Sequence, residues 1–154
     1  MRIGFGYDAH RLEKGHELIL GGVSIPFEKG TVAHSDGDVL IHAICDALLG
    51  AANLGDIGYH FPDNDPANRN LDSAQILRYS LKLLRDAGYR VVNVDTTICL
   101  QKPKLADYIQ QMKHNLGRWL PPEATSIKAT TTEKMGFVGE GLGISAYAAV
   151  LLNQ

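Results

Sequence analysis

Hydrophobic and polar residues alternate along two long stretches in the second half of the chain. Between residues 90 and 101 a period of two predicts a strand with one apolar face, formed by Val92, Val94, Thr96, Ile98 and Leu100. Between residues 144 and 152 both sets of alternate positions are apolar. That pattern predicts a strand covered on both faces, which in a small protein indicates a subunit interface.

Three other segments repeat their apolar residues with the period of a helix. The first helix is predicted from about Asp36 to Ala52, after the start signal Ser35–Asp38. The second begins after Asp72 and stops at Gly88, and the third covers residues 105–116. Shorter runs predict strands at 2–10 and 125–132, and a hairpin or bent strand with arms 18–20 and 23–27.

These elements mix without regular alternation of strand and helix. We therefore expect an α+β fold, a mixed β-sheet with helices packed on one side, forming a single domain over residues 1–154. Residues 53–70 show no period and embed Ile57, Tyr59 and Phe61. A loop this long in a small domain is typically functional, and its apolar residues favour an ordered one.

Charge and composition narrow the class of protein. The 15 Lys and Arg residues against 17 Asp and Glu give a formal net charge of -2, which argues against a general nucleic-acid binder. No apolar run is long enough to span a membrane, and the N-terminus lacks a signal-peptide pattern. Two isolated cysteines, Cys45 and Cys99, fit a reducing compartment. We expect a protein of the bacterial cytosol or, in a eukaryote, the mature form of a protein of a plastid-type organelle.

The candidate chemistry begins with Asp8 and His10, which share one face of the first predicted strand. His42 lies on the first predicted helix, on one face with Asp38 and Asp46, and is expected to point away from the main apolar packing. One carboxylate and two imidazoles form a three-ligand set that Zn²⁺ accepts, with a fourth position open to substrate. Asp46 is a candidate for orienting the His42 imidazole or for contacting ligand.

Other segments offer groups for phosphate. His34 and Ser35 precede a helix start, where backbone N–H groups attract anions. The hydroxyls of Thr130–Thr132 suit phosphate oxygens, and Glu133 suits a hard cation such as Mg²⁺. Gln101–Leu105 carries two lysines, suited to a base or a phosphate, and the glycines of residues 136–143 permit close backbone approach. Each of these segments, taken alone, is also typical of residues with no binding role, such as a helix cap, a strand rich in Thr, a glycine loop or solvated charge at a strand end.

Taken together, these residues resemble the family of 2-C-methyl-D-erythritol 2,4-cyclodiphosphate synthases over nearly the whole chain. The markers are Gly6–His10, Ala33–Asp38, His42, Asp46–Gly50, Gly55–Gly58, Phe61–Asp63 and Lys128–Lys134. The resemblance implies a homotrimer with active sites between neighbouring subunits. It also implies a substrate, 4-diphosphocytidyl-2-C-methyl-D-erythritol 2-phosphate, whose 2-phosphate attacks its own β-phosphorus and releases CMP.

The resemblance assigns roles to individual positions. Asp8, His10 and His42 would bind one Zn²⁺ per subunit, and Glu133 would face Mg²⁺ or Mn²⁺ on the substrate diphosphate. His34 and Thr131 would stabilise the transition state. The other substrate-binding positions would be Ser35, Asp56, Ile57, Gly58, Phe61, Pro62, Asp63, Asn64, Asp65, Leu100, Gln101, Lys102, Pro103, Lys104, Leu105, Thr130, Thr132 and Phe137, together with Asp8, His10, His34, Thr131 and Glu133. Neither nucleic acid nor membrane is expected as a partner.

One departure and two alternatives complete the interpretation. Glu140 and Leu142 stand where many members of the family carry Arg and Glu, which predicts weak binding of isoprenoid diphosphates in a central trimer cavity. The ligand set alone is also compatible with a zinc-dependent phosphohydrolase, although no obvious general base beyond His34 is present. A non-catalytic trimeric nucleotide-binding module is the third interpretation.

Overall fold

The structure is a computed structural model that describes all 154 residues. Its strands are β1 (Arg2–Lys14), β2 (Leu18–Leu20), β3 (Val23–Ile25), β4 (Lys29–Val32), β5 (Arg90–Cys99), β6 (Thr125–Thr130) and β7 (Gly143–Asn153). Its helices are α1 (Val39–Ala52), α2 (Ile57–His60), α3 (Ser73–Asp86), α4 (Ile109–Leu116) and α5 (Gly136–Gly139). Short 3-10 turns cover Pro66–Asn68, Ala106–Tyr108 and Pro122–Ala124.

Five strands form one mixed sheet in the order β4-β1-β7-β5-β6. The pairs are antiparallel except β5–β6, which is parallel, and β2 and β3 form a separate hairpin. Helix α1 packs across β1 and β7, and α3 packs on α1. The predicted mixed sheet with helices is confirmed.

Two glycines explain how closely α1 approaches the sheet. A Cβ atom added to Gly4 would lie 1.9 Å from the backbone oxygen of Ala47, and one added to Gly6 would lie 2.0 Å from that of Ala43. No side chain fits between strand and helix at these positions, so α1 rests directly on the β1 backbone. Alternate residues of a strand share a face, so Asp8 and His10 point to the same side as the glycines.

The opposite face of β1 is apolar and uncovered. Ile3 is 79% exposed and Phe5 67% exposed, and the rings of Tyr7 and Tyr147 pack together at 4.9 Å between centroids. On β7 the residues facing α1 are buried, but Tyr147 and Ala149 on the other face are exposed. A single chain therefore covers β7 mainly on one face, and the predicted cover on the other face is not supplied by this chain.

The predicted elements exist, with shifted boundaries. Helix α1 begins at Val39 rather than near Asp36, because the Asp38 side chain is the N-cap and accepts from Ile41 N at 3.1 Å. Strand β1 runs on to Lys14 because β4, which the sequence pattern did not reveal, pairs with it. On β5 a register shift between Val91 and Asn93 leaves Val92 exposed, against the predicted apolar face.

Residues 53–70 are ordered around two short helical turns. Asp56 caps α2 by accepting from Tyr59 N at 2.8 Å, and Asp65 caps the turn Pro66–Asn68 by accepting from Ala67 N at 2.9 Å. Phe61 packs against Tyr79 of α3, with ring centroids 5.1 Å apart. No helix of the structure combines the length and apolarity that crossing a membrane requires.

Candidate metal and phosphate site

Asp8, His10 and His42 converge on one point between β1 and α1. Their candidate ligand atoms all lie within 4.8 Å of one another. Asp8 Oδ2 is 3.0 Å from His42 Nδ1 and 3.4 Å from His10 Nδ1. The glycine contact produces this convergence. Ala43 of α1 lies over Gly6 of β1. His42 precedes Ala43 in α1, so it lies beside Asp8 and His10, the residues that follow Gly6 on the same face of β1.

The donor set fits a divalent cation. One carboxylate oxygen and two imidazoles are ligands that Zn²⁺ prefers, and three protein ligands leave a fourth position for substrate. The Nε2 atom of His10 is buried and has no hydrogen-bond partner. A buried ring nitrogen without a partner is uncommon in a folded protein and indicates that a polar or ionic partner belongs nearby.

The electrostatics of His42 favour positive charge at this point. Burial lowers the pKa of His42. The hydrogen bond and negative charge of Asp8, with the charges of Asp38 and Asp36, raise this pKa by more than burial lowers it, so it lies above its ordinary value. Carboxylates that favour a charged imidazole also favour a bound cation. The same environment that raises the pKa of His42 therefore attracts a metal ion.

Two predicted neighbours of His42 have other partners. Asp46, expected to orient the imidazole or to contact ligand, instead accepts from Ile57 N at 2.8 Å and ties α1 to the start of α2. Asp38 lies before the helix and is fully buried, where it accepts from Ile41 N and from Gly22 N. Burial raises the pKa of Asp38 to about 6. His42 itself is buried rather than directed away from the packing.

The His42 Nε2 atom contacts a group that sequence reasoning missed. Ser73, the first residue of α3, places its Oγ 3.0 Å from Nε2, and Ser35 Oγ lies at 3.2 Å. Ser73 also donates through Oγ to Asp36. The only sequence signal was the Ser73 hydroxyl beside the predicted cap Asp72, and nothing in the spacing placed it near His42.

A cavity of about 400 Å³ opens beside the three ligand residues. Asp8, His10 and His42 share its lining with several of the predicted substrate residues, namely His34, Ser35, Ile57, Gly58, Phe61 and Asp63. The backbone of His34 is tied to the loop, since its oxygen accepts from Asn70 N at 2.7 Å. The fold thus brings the metal ligands and the 53–70 loop together around one open space.

Several of the remaining predicted groups lie around a second cavity. This one, about 480 Å³, is lined by Leu100, Pro103, Lys104, Leu105, Thr130, Thr131 and Glu133, with Ala106, Ile109 and Ala129. Thr131 Oγ1 donates to Glu133 at 2.9 Å, and Gln101 Oε1 accepts from Lys134 N at 3.2 Å. Glu133 and Lys134 both have positive φ, so a tight turn directs Glu133 back toward Thr131.

In one chain the two cavities are separated across the sheet. The ladder register places Asp8 opposite Ala146, Ala146 opposite Ile98, and Ile98 opposite Ala129. Asp8 and Ala129, which lines the second cavity, therefore lie at the same level, three strand spacings or about 14 Å apart. Phe137 lies elsewhere, in a third cavity with His10 and Leu142, and Lys102 lines a fourth with Glu140. Pro62, Asn64 and Asp65 are exposed in the loop, as is Asp56.

The fold and site define a class of protein: an α+β sheet protein with an Asp-His-His ligand cluster beside a ligand-sized cavity. The model of the YgbB family matches residues 1–153. The chain belongs to this family.

Curated relatives and solved structures agree with that assignment. The chain is 55% identical to a 2-C-methyl-D-erythritol 2,4-cyclodiphosphate synthase of Syntrophobacter fumaroxidans, over all of this chain and 98% of the relative. A synthase of the same name from Geobacillus kaustophilus is 55% identical over 99% of this chain and 98% of its own length. The bifunctional IspDF of Campylobacter jejuni superimposes with a TM-score of 0.94 at 40% identity, over 98% of this chain and 42% of IspDF. A cyclodiphosphate synthase in its CDP-bound form gives 0.91 at 39% identity, over 99% and 100%.

Proposed function

We propose that this protein is a 2-C-methyl-D-erythritol 2,4-cyclodiphosphate synthase of the non-mevalonate isoprenoid pathway. It converts 4-diphosphocytidyl-2-C-methyl-D-erythritol 2-phosphate to the cyclic diphosphate and CMP. One P–O bond forms between the 2-phosphate and the β-phosphorus, and the bond from that phosphorus to the CMP oxygen breaks. The convergence of Asp8, His10 and His42 beside a cavity, in a chain 55% identical to synthases of that name, carries the proposal.

The metal half of the site consists of Asp8, His10 and His42, which would hold Zn²⁺. When bound, the ion supplies charge neutralisation at the β-phosphate, where negative charge otherwise opposes attack by the 2-phosphate. The chain itself supplies position: a tethered reaction held in attack geometry gains up to about 7–11 kcal/mol. No protein nucleophile is required, since both reacting groups belong to the substrate.

The cavity residues around the metal half would hold the methylerythritol phosphate. His34 and Ser35 would donate to its phosphate oxygens, with His34 stabilising the transition state. Asp56, Ile57 and Gly58 would contact the sugar portion. The segment Phe61–Asp65 would close over the substrate, and its contact with Tyr79 supports an ordered resting position.

The second half of the site would come from a neighbouring subunit. Glu133 would face Mg²⁺ or Mn²⁺ on the diphosphate, and Thr131 would stabilise the transition state. Leu100–Leu105, with Thr130–Thr132, would hold the cytidine end, and Phe137 would complete the substrate contacts. The separation of about 14 Å within one chain supports a shared site, because the ions on the two groups would act on adjacent phosphates of one diphosphate.

A homotrimer would bury the uncovered face of the sheet. Ile3, Phe5, Tyr7 and Tyr147 form a contiguous exposed apolar row, and such rows typically mark protein–protein interfaces. In this assembly residues 1–154 act as one synthase domain per subunit, in the cytosol, where the free buried Cys45 and Cys99 stay reduced. Sedimentation equilibrium should give three times the mass of 16.8 kDa, and a monomer at micromolar concentration would contradict the shared site.

Product analysis tests the reaction itself. The purified protein is incubated with the substrate, Zn²⁺ and Mg²⁺, and products are separated by mass and by ³¹P resonance. The proposal expects stoichiometric CMP and a cyclic diphosphate. A linear, hydrolysed product would instead indicate a zinc phosphohydrolase, and binding of CMP without turnover would indicate a non-catalytic module.

A further inference from the structure

His42 has two ring nitrogens, and only one of them faces the metal cluster. Nδ1 lies 3.0 Å from Asp8 Oδ2, whereas Nε2 points the other way, toward Ser73 and Ser35. A neutral imidazole carries one proton, so the nitrogen that holds it cannot be the ligand. Whatever fixes the proton on Nε2 therefore decides whether Nδ1 is available to bind an ion.

Donor and acceptor accounting around Ser73 settles where the proton belongs. The Asp36 carboxylate accepts only, so the single hydroxyl proton of Ser73 is donated to Asp36. Ser73 Oγ then offers only lone pairs to His42, at 3.0 Å, so Nε2 has to be a donor. Nδ1 also faces a carboxylate, that of Asp8, so a bound ion would replace the proton on Nδ1 and not the one on Nε2. Ser35 does not impose this, since its hydroxyl proton has no carboxylate acceptor and its oxygen accepts from Gly37 N.

Asp36 is itself held in place by backbone. Its Oδ2 accepts from Ser73 N at 2.9 Å and its Oδ1 from Asp38 N at 3.2 Å, while its own N–H donates to Leu71 O at 3.2 Å. The carboxylate thus joins the segment before α1 to the first turn of α3. Ser73 and Ser80 are both fully buried on α3, but the Ser80 hydroxyl donates to Ile76 O of its own helix and contacts the Cys45 thiol rather than His42.

We propose that Ser73 and Asp36 are positioning residues for the metal site: the chain Asp36–Ser73–His42 keeps the proton on Nε2 and presents Nδ1 as the ligand atom. The inference rests on the proposed function only in taking the cluster to bind Zn²⁺. Groups that orient a metal-bound histidine in this way are typically worth 10–100-fold in metal affinity.

The inference is tested by measuring the zinc affinity of the Ser73→Ala variant in competition with a chromophoric chelator. Ser80→Ala is the control. Alanine keeps the backbone donor to Asp36 and is a good helix former, so α3 should persist, checked by circular dichroism. We expect about tenfold weaker binding in Ser73→Ala and an unchanged value in Ser80→Ala. The Asp36→Asn variant, whose amide cannot accept at both oxygen positions, should weaken binding in the same direction.

Nitrogen resonances of His42 give a second, spectroscopic readout. In the zinc-loaded wild-type protein, ¹⁵N-labelled at histidine, the Nε2–H should be visible and slow to exchange, and Ser73→Ala should speed its exchange. Equal zinc affinity within twofold and an unchanged His42 spectrum in Ser73→Ala would overturn the inference while leaving the proposed function intact. A wild-type protein that binds no Zn²⁺ at all would overturn both.

Discussion

The two halves of the candidate site are built differently. The metal half draws its groups from β1, α1, α3 and the segment before α1, and hydrogen bonds link these elements over long sequence separations. The Thr131–Glu133 half lies at the open end of β6, with Thr131 and Thr132 half-buried and Glu133 exposed, and the hydrogen bonds of its side chains stay within a few residues. The first half is held by side-chain hydrogen bonds between separate elements, whereas the second is held by a local turn and by backbone donors to Gln101 and Thr130.

This difference separates two tasks. Holding a small, highly charged ion requires ligand atoms at set distances before the ion arrives, which a packed core provides. In the proposed trimer the second half would meet a flexible nucleotide diphosphate across a subunit boundary, and its groups would need to settle only when substrate and neighbour are present. Variants in the first half should therefore alter metal content and folding, whereas variants in the second should alter turnover alone.

The largest effect is expected from His10→Ala. Removing one of three ligands should reduce bound zinc from one per chain to nearly none and lower turnover about a hundredfold or more, since even groups that merely support a ligand are worth 10–100-fold. Zinc content by atomic absorption and CMP release are the measurements. His114→Ala, an exposed histidine on α4, is the matched control, and equal loss there would contradict the metal assignment.

Gly6→Ala should show that the metal half depends on the backbone contact. The added Cβ would lie 2.0 Å from Ala43 O, and such overpacking typically costs about 1–3 kcal/mol. Urea unfolding should show this loss, and zinc affinity should fall with it. Gly50→Ala in α1 has open space around its Cβ and should be neutral or stabilising by about 0.5–1 kcal/mol. Equal stabilities for the two variants would contradict the contact.

Glu133→Gln tests whether the Thr131–Glu133 half acts on turnover independently of the metal half. The variant removes the charge that would meet Mg²⁺ while keeping the size of the side chain, so we expect about tenfold lower turnover with unchanged zinc content and unfolding free energy, by analogy with other metal-supporting groups. Glu123→Gln, exposed in the turn Pro122–Ala124, is the control. A variant that loses zinc would show that the two halves are not independent.

The smallest effect concerns Asp95 on β5, whose pKa is lowered by the hydrogen bond from Lys128 at 2.6 Å. A lowered folded-state pKa adds stability above the ordinary value of 3.8, and that stability is lost as the pH falls through the folded-state pKa. Asp95→Asn should therefore cost under about 1 kcal/mol at neutral pH, since the pair is exposed, and progressively less as the pH falls below 3.8. Denaturant unfolding at neutral pH and at a series of pH values below 3.8, with Lys128→Met as the partner in a double-mutant cycle, checks this, and a difference that does not change with pH would contradict it.

Local patterns in the sequence predicted most of the fold. The boundaries of α3 and the long strands β5 and β7 follow directly from caps and periodicity. The sequence did not reveal β4 because Lys29–Val32 has no period of its own and becomes a strand only by pairing with β1. Val92 was assigned to the wrong face because a β-bulge shifts the alternation by one residue, and no residue type in this segment indicates a bulge.

The candidate site divides in the same way. Asp8 and His10 were predictable because a two-residue spacing on a strand fixes their common direction. Their meeting with His42 was indicated by residue type and family resemblance, not by spacing. Ser73 could not be found, since 31 residues separate it from His42 and only the packing of α3 on α1 brings them together. Asp46 has no hydrogen bond to His42, since its Oδ1 accepts from Ile57 N, a donor on another element that no helix pattern could place beside it.

The bare contact between β1 and α1 at Gly4 and Gly6 has a consequence for how this protein tolerates change. The gap between the carboxylate on the strand and the imidazole on the helix is set by two main chains touching, not by the volumes of intervening side chains. Substitutions elsewhere in the interior can therefore lower the melting temperature while the spacing of the ligand atoms stays constant. Only replacement of one of the two glycines is expected to change that spacing.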